Sequence, residues 1–224
     1  MRNGVLILFL TIVFNCNAQR IRPFVGSIVF LDKDFKNSLF VGFNGGVEFN
    51  IVSFFKPELE ISYFLGAIED VEIQDSMGNI SEIFLRNAYA LNFSVIPKID
   101  LGSKSTNSEV AMVHFQILPK YTISKNEGRG NYTIINQNNP SKSLIEREVV
   151  TEWQHSLGIG IGLHFPVSHK NHNSISLNLY YNGIDLGEAL NKLNHRRSYE
   201  FNTKNVMGLG MNYFFGLKKK MQTR

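Results

Sequence analysis

Cysteine is nearly absent from this sequence, which contains a single residue of that type, Cys16, among 224 residues. Residues 1–18 combine a basic start, an apolar run and a polar end, which predicts a secretory signal peptide cleaved near Ala18 or Gln19. Cleavage there removes Cys16 and excludes disulfide bonds, a thiol nucleophile and a thiolate metal site from the mature chain. A lipoprotein acylated on Cys16 is the alternative, which Asn15 disfavours because acylation sites follow small residues.

Long hydrophobic runs are also lacking after residue 18, although 43% of the residues are hydrophobic. A transmembrane helix needs about 20 consecutive apolar residues, so a helical membrane protein is excluded. The formal net charge is +4 and falls to +3 when Arg2 leaves with the signal peptide. Lys218, Lys219 and Lys220 account for that excess, and the absence of a basic stripe interleaved with aromatic residues disfavours nucleic-acid binding. Linker-like tracts are missing too, so residues 19–224 are predicted to form one domain.

Apolar residues alternate with polar or small ones in the last long stretch, residues 199–217. A period of two predicts a β-strand with one apolar face and one polar or glycine-rich face. The apolar face has aromatic residues at both ends, Tyr199 and Phe201 at one end and Tyr213 and Phe215 at the other. An apolar outer face bounded by aromatic girdles is typical of a membrane-spanning β-strand.

The same alternation recurs along the mature chain and predicts eight strands. Their ranges are residues 22–30, 39–51, 57–68, 83–101, 110–123, 149–167, 174–183 and 199–217. Three connections are short, at residues 52–56, 102–109 and 168–173, and three are longer, at residues 69–82, 124–148 and 184–198. Short periplasmic turns and longer external loops are typical of outer-membrane barrels. The sequence therefore predicts an all-β fold, an eight-stranded antiparallel up-and-down transmembrane β-barrel in the cell outer membrane.

A soluble lipocalin-like barrel or a β-sandwich is the alternative fold, because its strands alternate as well. Its apolar residues would point inward and its outer face would carry charge. Here the polar face is rich in glycine and serine, and the apolar face is nearly uncharged, which favours the membrane barrel. The first strand is the least regular, and Gly26 favours Val25, Ser27 and Val29 as its lipid-facing residues, because glycines line the lumen elsewhere.

The polar faces carry charges of both signs into the predicted lumen. The inward-facing ionisable residues are Glu48, Glu58, Glu60, Arg86, Lys98, Asp100, His114, Lys120, Glu152, His164, Glu200 and Lys204. Eight strands enclose a space that side chains just fill, which disfavours an open porin channel. Buried charges must pair, so we predict an internal ion-pair network that plugs the lumen. A proton or ion path gated by those pairs is the alternative.

Enzymatic residues are not predicted. His172 and Ser174 form an H-x-S string, but it lies at a predicted periplasmic turn, away from a lipid substrate in the outer leaflet. His155 and Ser156 are adjacent, so their side chains point to opposite faces of one strand and cannot act together as base and nucleophile. We therefore predict no catalytic, cofactor-binding or metal-binding residue, with a lipid-modifying outer-membrane enzyme as the alternative function.

The segments GFNGGVEF, PELEISYF and GLGMNYFFGLKK, together with the NAQ end of the signal, carry a family resemblance. On them the mature chain resembles small outer-membrane β-barrel proteins of the OmpA/OmpX type, and the porin-family or PorT-like barrels of Bacteroidetes. The resemblance implies a structural, anchoring or binding role, or that of an accessory barrel in a secretion assembly. It also implies that the barrel-assembly machinery reads an aromatic residue near the end of the last strand. Phe215 fills that place, with residues 216–224 following it.

The predicted location of the barrel and of its loops indicates its partners. Outer-membrane lipid would surround the barrel, and the assembly machinery would bind it during biogenesis. The longest predicted external loop, residues 125–147, is rich in asparagine. Loops on rigid scaffolds carry function, so a protein partner is predicted to bind there.

Overall fold

A computed structural model describes residues 21–31, 40–102, 113–168, 173–182, 184–194 and 206–216, with side chains other than those of residues 67–70, 140 and 182. The predicted signal peptide at residues 1–18 lies outside the described residues. So do Glu200, Lys204 and the three C-terminal lysines. Among the described residues, none of the helices combines the length and hydropathy of a membrane-spanning helix.

Nine strands and one short helix follow one another along the described chain. The strands are β1 (Ile21–Leu31), β2 (Phe40–Phe49), β3 (Glu58–Gln74), β4 (Ile80–Ile96), β5 (Ile99–Asp100), β6 (His114–Ile134), β7 (Leu144–Ser168), β8 (Asn173–Asn182) and β9 (Val206–Phe214). The helix α1 spans Glu188–Asn191, and one 3₁₀ turn spans Pro140–Lys142.

Eight of these strands form a closed antiparallel barrel, as predicted. The sheet order is β4-β3-β2-β1-β9-β8-β7-β6, and pairing of β4 with β6 closes the ring. The last strand pairs with the first, from Phe24 opposite Phe214 to Leu31 opposite Met207. Strand β5 has two residues and pairs with β6 below the end of β4. Closure gives each of the eight strands a partner on both sides, which satisfies the backbone within a membrane.

The two faces of the wall differ as the period of two predicts. In β1 the side chain of Val25 is 52% exposed and Val29 is also exposed, whereas Phe24 and Ile28 are buried inside. Gly26 faces inward, where an added Cβ would lie 2.1 Å from the Asn212 side chain, so a larger residue has no space. This confirms the prediction for the first strand.

Large apolar side chains cover the outside of the barrel in all eight strands. Representative exposed residues are Val29, Phe43, Ile61, Phe93, Phe115, Ile161, Leu179 and Leu209. In water this surface would be strongly unfavourable, whereas in lipid it matches the hydrocarbon. A closed β-barrel with an apolar outer wall is the form in which strands cross a bilayer. The protein is a small integral β-barrel of the bacterial outer membrane.

The prediction that residues 124–148 and 69–82 form long loops is wrong. Most of residues 124–148 forms a hairpin in which β6 continues to Ile134 and β7 begins at Leu144. Residues 69–82 likewise belong mainly to β3 and β4, with a turn at residues 75–79. Outside the membrane the outer face of a strand does not have to be apolar, so the apolar and polar residues no longer alternate although the ladder of hydrogen bonds continues.

The predicted fourth strand, residues 83–101, is interrupted. Strand β4 ends at Ile96, and Pro97 lacks the N–H group that a continuing ladder would need. The Lys98 N–H donates to the carbonyl of Ile96, and Lys56 donates its own N–H to the Lys98 carbonyl. This tight local pairing turns the chain while keeping the Lys98 side chain inside the barrel.

Candidate functional site

The end of the lumen beside the short turns holds a buried ion-pair cluster, and we call it the periplasmic end because short turns are typical of that side. The Lys98 ammonium contacts the carboxylates of both Glu48 and Glu58, and all three side chains are almost fully buried. Arg22 reaches Glu48 from β1, with Nη2 2.9 Å from Oε1. The Lys98 Nζ and the Arg22 Cζ also lie 4.5 and 4.9 Å from the centroid of the Phe214 ring. Two cations and two carboxylates therefore share one pocket formed by five strands or turns.

A second ion pair joins the turn after β2 to β5, and His114 at the start of β6 contacts the same carboxylate. The Lys56 ammonium lies 2.5 Å from the Asp100 carboxylate, and His114 Nδ1 lies 3.0 Å from the other oxygen. His114 is also packed edge-on against His164, with ring centroids 6.3 Å apart. These contacts fix the periplasmic turn against the barrel mouth.

One layer deeper, Lys120 and Glu60 form a further buried pair with 2.6 Å between the ammonium and the carboxylate. Asn44 donates from Nδ2 to the other Glu60 oxygen at 2.7 Å and to the Asn212 side-chain carbonyl at 3.0 Å. The Lys120 ammonium lies 5.0 Å from the centroid of the Tyr180 ring. Burial of these charges is offset by pairing and hydrogen bonds within the lumen.

The predicted inward orientation of the ionisable residues is confirmed wherever the structure describes them. Eight of them are buried, namely Glu48, Glu58, Glu60, Arg86, Lys98, Asp100, Lys120 and His164. His114 and Glu152 are half-buried, since each lies near one end of the barrel.

An apolar layer lies between the charged clusters and the extracellular end. Its buried side chains include Ile28, Phe30, Phe40, Phe64, Leu118 and Tyr180. Inward glycines accommodate the rings: an added Cβ on Gly66 would lie 1.9 Å from the Phe40 ring, and on Gly42 2.5 Å from the Phe64 ring. The apolar layer shares this level of the lumen with a buried polar row of β6, Thr122, Ser124 and Asn126, which leads from Lys120 towards the extracellular end.

The extracellular end is occupied by residues 184–194, which we call the cap segment. They lie in the predicted connection between the last two strands, but their folding into the barrel was not predicted. The segment folds back into the mouth and buries five apolar side chains, Ile184, Leu186, Ala189, Leu190 and Leu193. Leu190 and Leu193 pack in the same core cluster as Phe84. The cap segment therefore continues the apolar layer of the lumen upward.

Hydrogen bonds attach the cap segment to the inner wall. Asn126 and Gln154 both donate from their amide nitrogens to the Asp185 carbonyl, at 3.1 and 2.9 Å. The Asp185 carboxylate accepts the N–H groups of Gly187 and Glu188, which orients the first turn of α1. Each contact satisfies a backbone group at the mouth.

Charged contacts hold the outer edge of the cap segment. Lys192 Nζ lies 3.1 Å from both Glu152 of β7 and Glu188 of α1. The Asn194 N–H and side-chain amide donate to the Glu148 carboxylate at 2.8 and 2.7 Å. The hydrogen bonds to Glu152 and Glu188 raise the pKa of Lys192 above its ordinary value.

Gly128 of β6 determines how closely the cap segment approaches the wall. An added Cβ there would lie 2.9 Å from the Ala189 carbonyl carbon and 3.0 Å from the Leu190 nitrogen, both backbone atoms. We expect Gly128→Ala to displace α1 and to expose the peptide bond after Lys192 to trypsin. Limited trypsin digestion of the folded protein measures this. The control is Gly45→Ala, where the nearest atom would be 3.4 Å away. Equal resistance of Gly128→Ala and wild type would contradict the placement of the cap segment.

Of the two candidate enzymatic pairs, the structure describes His155 and Ser156 in full, and these two side chains lie apart. His155 points outward, where Nδ1 lies 2.8 Å from the Tyr121 hydroxyl, whereas Ser156 is buried inside, as their opposite faces predict. Ser174 is buried at the start of β8, and His172 lies outside the described residues. Within the described part of the chain, His, Cys, Asp and Glu side chains form no group of three or more with the spacing of a metal site.

Sequence reasoning missed the cap segment, although a signal for it exists. Leu186, Ala189, Leu190 and Leu193 recur at the spacing of one helical face. A solvated loop does not need that pattern, so the spacing indicates a segment that packs against an apolar surface of the protein.

The sequence matches no protein-family model and no curated protein. Among solved structures the chain is similar to Ail of Yersinia pestis in complex with the heparin analogue sucrose octasulfate, with 12% identity, a TM-score of 0.43 and coverage of 88% of this chain and 98% of that one. It is similar to Neisserial surface protein A, with 10% identity, a TM-score of 0.42 and coverage of 88% and 96%. A major outer membrane protein of Thermus thermophilus has 11% identity, a TM-score of 0.45 and coverage of 87% and 99%. The barrel assignment itself rests on strand pairing and on the apolar outer wall.

Proposed function

We propose that the protein is a non-enzymatic outer-membrane barrel of the OmpA/OmpX type, with a plugged lumen, that presents an extracellular β-sheet to a protein partner. The observation that carries this proposal is the height of the wall along four neighbouring strands. Within the described ranges, strands β3, β4, β6 and β7 have 17, 17, 21 and 25 residues, and β1, β2, β8 and β9 have 11, 10, 10 and 9.

The excess length lies outside the bilayer. About 9–11 tilted residues suffice for a strand to cross the hydrocarbon, so β7 extends beyond it by about 14 residues. The pairing of β6 with β7 remains regular up to Ile134 opposite Leu144. The outcome is a four-stranded sheet that stands on one side of the barrel, which is a rigid support for binding.

Apolar side chains are exposed on this sheet above the membrane. Met77 at the turn between β3 and β4 is 86% exposed, and Leu144 and Ile145 at the start of β7 are exposed as well. Exposed apolar residues on a rigid element outside lipid favour binding to another protein. This replaces the predicted binding loop at residues 125–147 with a hairpin that has its own strand structure.

The plugged lumen is supported by the three layers that fill it. The cap segment closes the extracellular side, the aromatic layer fills the middle, and the cluster around Lys98 fills the periplasmic side. A barrel of this kind acts through its outer surfaces. The charged residues then stabilise the barrel and do not conduct ions.

A photoreactive residue placed at Ile145 tests the binding role in intact cells. We expect a discrete protein adduct from that position. Leu157 is the matched control, because it lies on the outer face of the same strand within the lipid and should give lipid adducts only. No protein adduct from Ile145, Leu144 or Met77 would contradict the binding role. A gene-dependent change in lipid A acyl chains, seen by mass spectrometry, would instead favour the lipid-modifying enzyme.

The PorT-like resemblance implies a more specific role as an accessory barrel of a secretion assembly. The tall sheet is compatible with that role, since it offers a surface to a neighbouring component. Normal surface export in a deletion strain would contradict this role while leaving the general binding role intact.

A further inference from the structure

Strand β7 rises above the end of β8 and has an edge there without a neighbouring strand. The ladder between the two strands ends at Gly158 of β7 opposite Asn182 of β8. The chain then turns into the barrel, where the Asp185 N–H donates to the Gln154 side chain at 3.1 Å. Residues 147–157 of β7, which we call the open edge, therefore have β6 on one side and, among the described residues, no strand on the other.

The backbone groups that point out of the open edge belong to odd-numbered residues. Successive residues of an antiparallel strand direct their N–H and C=O groups to opposite neighbours. The Phe115 carbonyl accepts the N–H of Leu101, so odd-numbered residues of β6 bond towards β5 and β4. The Ile135 N–H, which donates to the Ser81 carbonyl, follows the same rule just beyond β6. Even-numbered residues of β6 therefore bond to even-numbered residues of β7. The odd-numbered residues of the open edge point away from β6, and none of them has a backbone partner among the described residues.

Apolar side chains on the outer face of the open edge lack a cross-strand neighbour. Leu157 is 78% exposed, whereas Ile161, which lies beside Leu179 of β8, is 46% exposed. Val149 and Trp153 are exposed on the same face. A further strand would cover these side chains and would add cross-strand pairs, which are the main source of stability in a sheet.

The opposite edge of the tall sheet is protected against strand addition, and the open edge is not. Strand β3 forms that opposite edge and loses β2 as a neighbour after Gly66. Its ladder with β4 is interrupted between Ile68 and Val71, and residues 69–72 include three carboxylates. Bulges, charges and prolines are the features that prevent edge pairing. The open edge keeps a regular register with β6, contains no proline, and has Arg147 as the single permanently charged side chain of its outer face.

We infer that an extended segment of the extracellular protein partner adds to the open edge as a further strand of the sheet. This inference rests on the proposed function and names the kind of partner that the tall sheet binds. The added strand occupies the position above Asn182 and bonds to the odd-numbered backbone groups. Its outward side chains are apolar opposite Val149 and Trp153 and acidic opposite Arg147, because these pairs stabilise neighbouring strands.

A second copy of the chain is disfavoured as the occupant of this edge. Two copies in one membrane have the same orientation, so their open edges would pair in parallel. Glu148 and Glu152 of one copy would then lie beside the same residues of the other copy, and like charges side by side destabilise a sheet. A segment of a different protein can run antiparallel to β7 and brings its own side chains.

Trp153 provides a direct probe of strand addition, since it is the single tryptophan of the chain and is exposed on the open edge. The purified full-length protein in phosphatidylcholine nanodiscs is titrated with a synthetic peptide of about eleven residues, long enough to cover the open edge. The peptide alternates valine and threonine and has one glutamate opposite Arg147 in the antiparallel register. A second peptide has the same side chains and N-methylated amides. We expect the N-methylated peptide to change the Trp153 fluorescence at least about tenfold more weakly, because it cannot donate backbone hydrogen bonds.

Two substitutions in the open edge and one matched control complete the test. Thr151→Pro removes an N–H that points to the added strand and keeps the bonds to β6, a position at which edge strands accept proline. Val149→Lys places a charge beside the added strand. Each should weaken binding of the unmodified peptide at least about tenfold. Leu85→Lys introduces the same charge on the outer face of β4, two residues along that strand from the row of Val149, and should leave binding unchanged. Retention of the fast-migrating unboiled band on a gel shows that each variant is folded.

The photoreactive residue at Ile145 separates this inference from the proposed function in intact cells. Its protein adduct should be lost in Thr151→Pro and in Val149→Lys and should persist in Leu85→Lys. Persistence of the adduct in all three variants would overturn strand addition while the binding role stands, whereas absence of the adduct in the wild type would contradict both. Equal binding of the two peptides, or no fluorescence change with the unmodified one, would also overturn strand addition. An adduct with the mass of two copies of the chain would overturn it in favour of self-association.

Discussion

Replacing Lys98 with methionine is expected to lower the free energy of unfolding by about 3–5 kcal/mol, because it leaves two buried carboxylates without their shared cation. Lys98 is fully buried and contacts Glu48 and Glu58, whereas Arg22 reaches only Glu48. The isolated Glu58 is therefore the main source of the loss. Urea unfolding of the barrel in lipid vesicles, followed by tryptophan fluorescence, measures the change.

A second substitution separates this effect from lost packing. Lys98→Met combined with Glu58→Gln removes the carboxylate that has lost its cation, and Arg22 still neutralises Glu48. The double variant should be more stable than Lys98→Met alone, because breaking a buried pair costs more than removing both members. Lys192→Met breaks an exposed contact of the cap segment and should have a much smaller effect. A double variant less stable than Lys98→Met would contradict the ion-pair account.

Replacing Ile161 with arginine is expected to cost about 2–4 kcal/mol and to block membrane insertion, because the charge would lie near the bilayer midplane. Ile161 is exposed on the outer face of β7, between Ile117 of β6 and Leu179 of β8. Both neighbours are also apolar, so no partner for the charge is available at that depth. The assay is the difference in migration between boiled and unboiled protein recovered from membranes.

Ile145→Arg is the matched control, since Ile145 is exposed on the outer face of the same strand in the extracellular sheet. The odd-numbered positions of β7 keep one face, so the two substitutions differ in depth and not in orientation. Ile145→Arg should assemble normally. Normal assembly of Ile161→Arg would mean that the faces of β7 are assigned wrongly.

The membrane-spanning part of the fold could be predicted from the sequence because lipid imposes a strict period. Every second residue must be apolar there, and inward glycine or polar residues follow from the crowded lumen. Gly26 was sufficient to choose between the two faces of β1, since any Cβ at that position would meet Asn212 and Asn44. The eight strands and their faces follow from this one constraint.

The extracellular part could not be predicted in the same way. Lys125, Arg129 and Asn131 of β6 continue the strand in water, where neither face must be apolar. Their strand structure depends on pairing with β7, and neither segment shows an alternating pattern there that would announce the pairing. The local sequence therefore resembles that of a solvated loop.

The sequence predicts which charged residues face the interior, but it does not predict which of them form ion pairs with each other. Charges of both signs on the inner face indicate pairing, yet sequence alone does not say that Lys98 bridges two glutamates from β2 and β3. That arrangement depends on the turn at Pro97 and on the closure of the barrel. The open edge depends in the same way on where the ladder between β7 and β8 ends.

Spin labels placed singly along β7, in a variant without Cys16, test the transmembrane barrel most directly. Labels at Leu157, Ile159 and Ile161 are expected to relax with oxygen dissolved in the bilayer and to be shielded from a water-soluble nickel reagent. Labels at Ile145 and Val149 on the same face should show the reverse, because they stand in water above the membrane. Accessibility of Leu157, Ile159 and Ile161 to the nickel reagent in intact vesicles would contradict a membrane-spanning barrel.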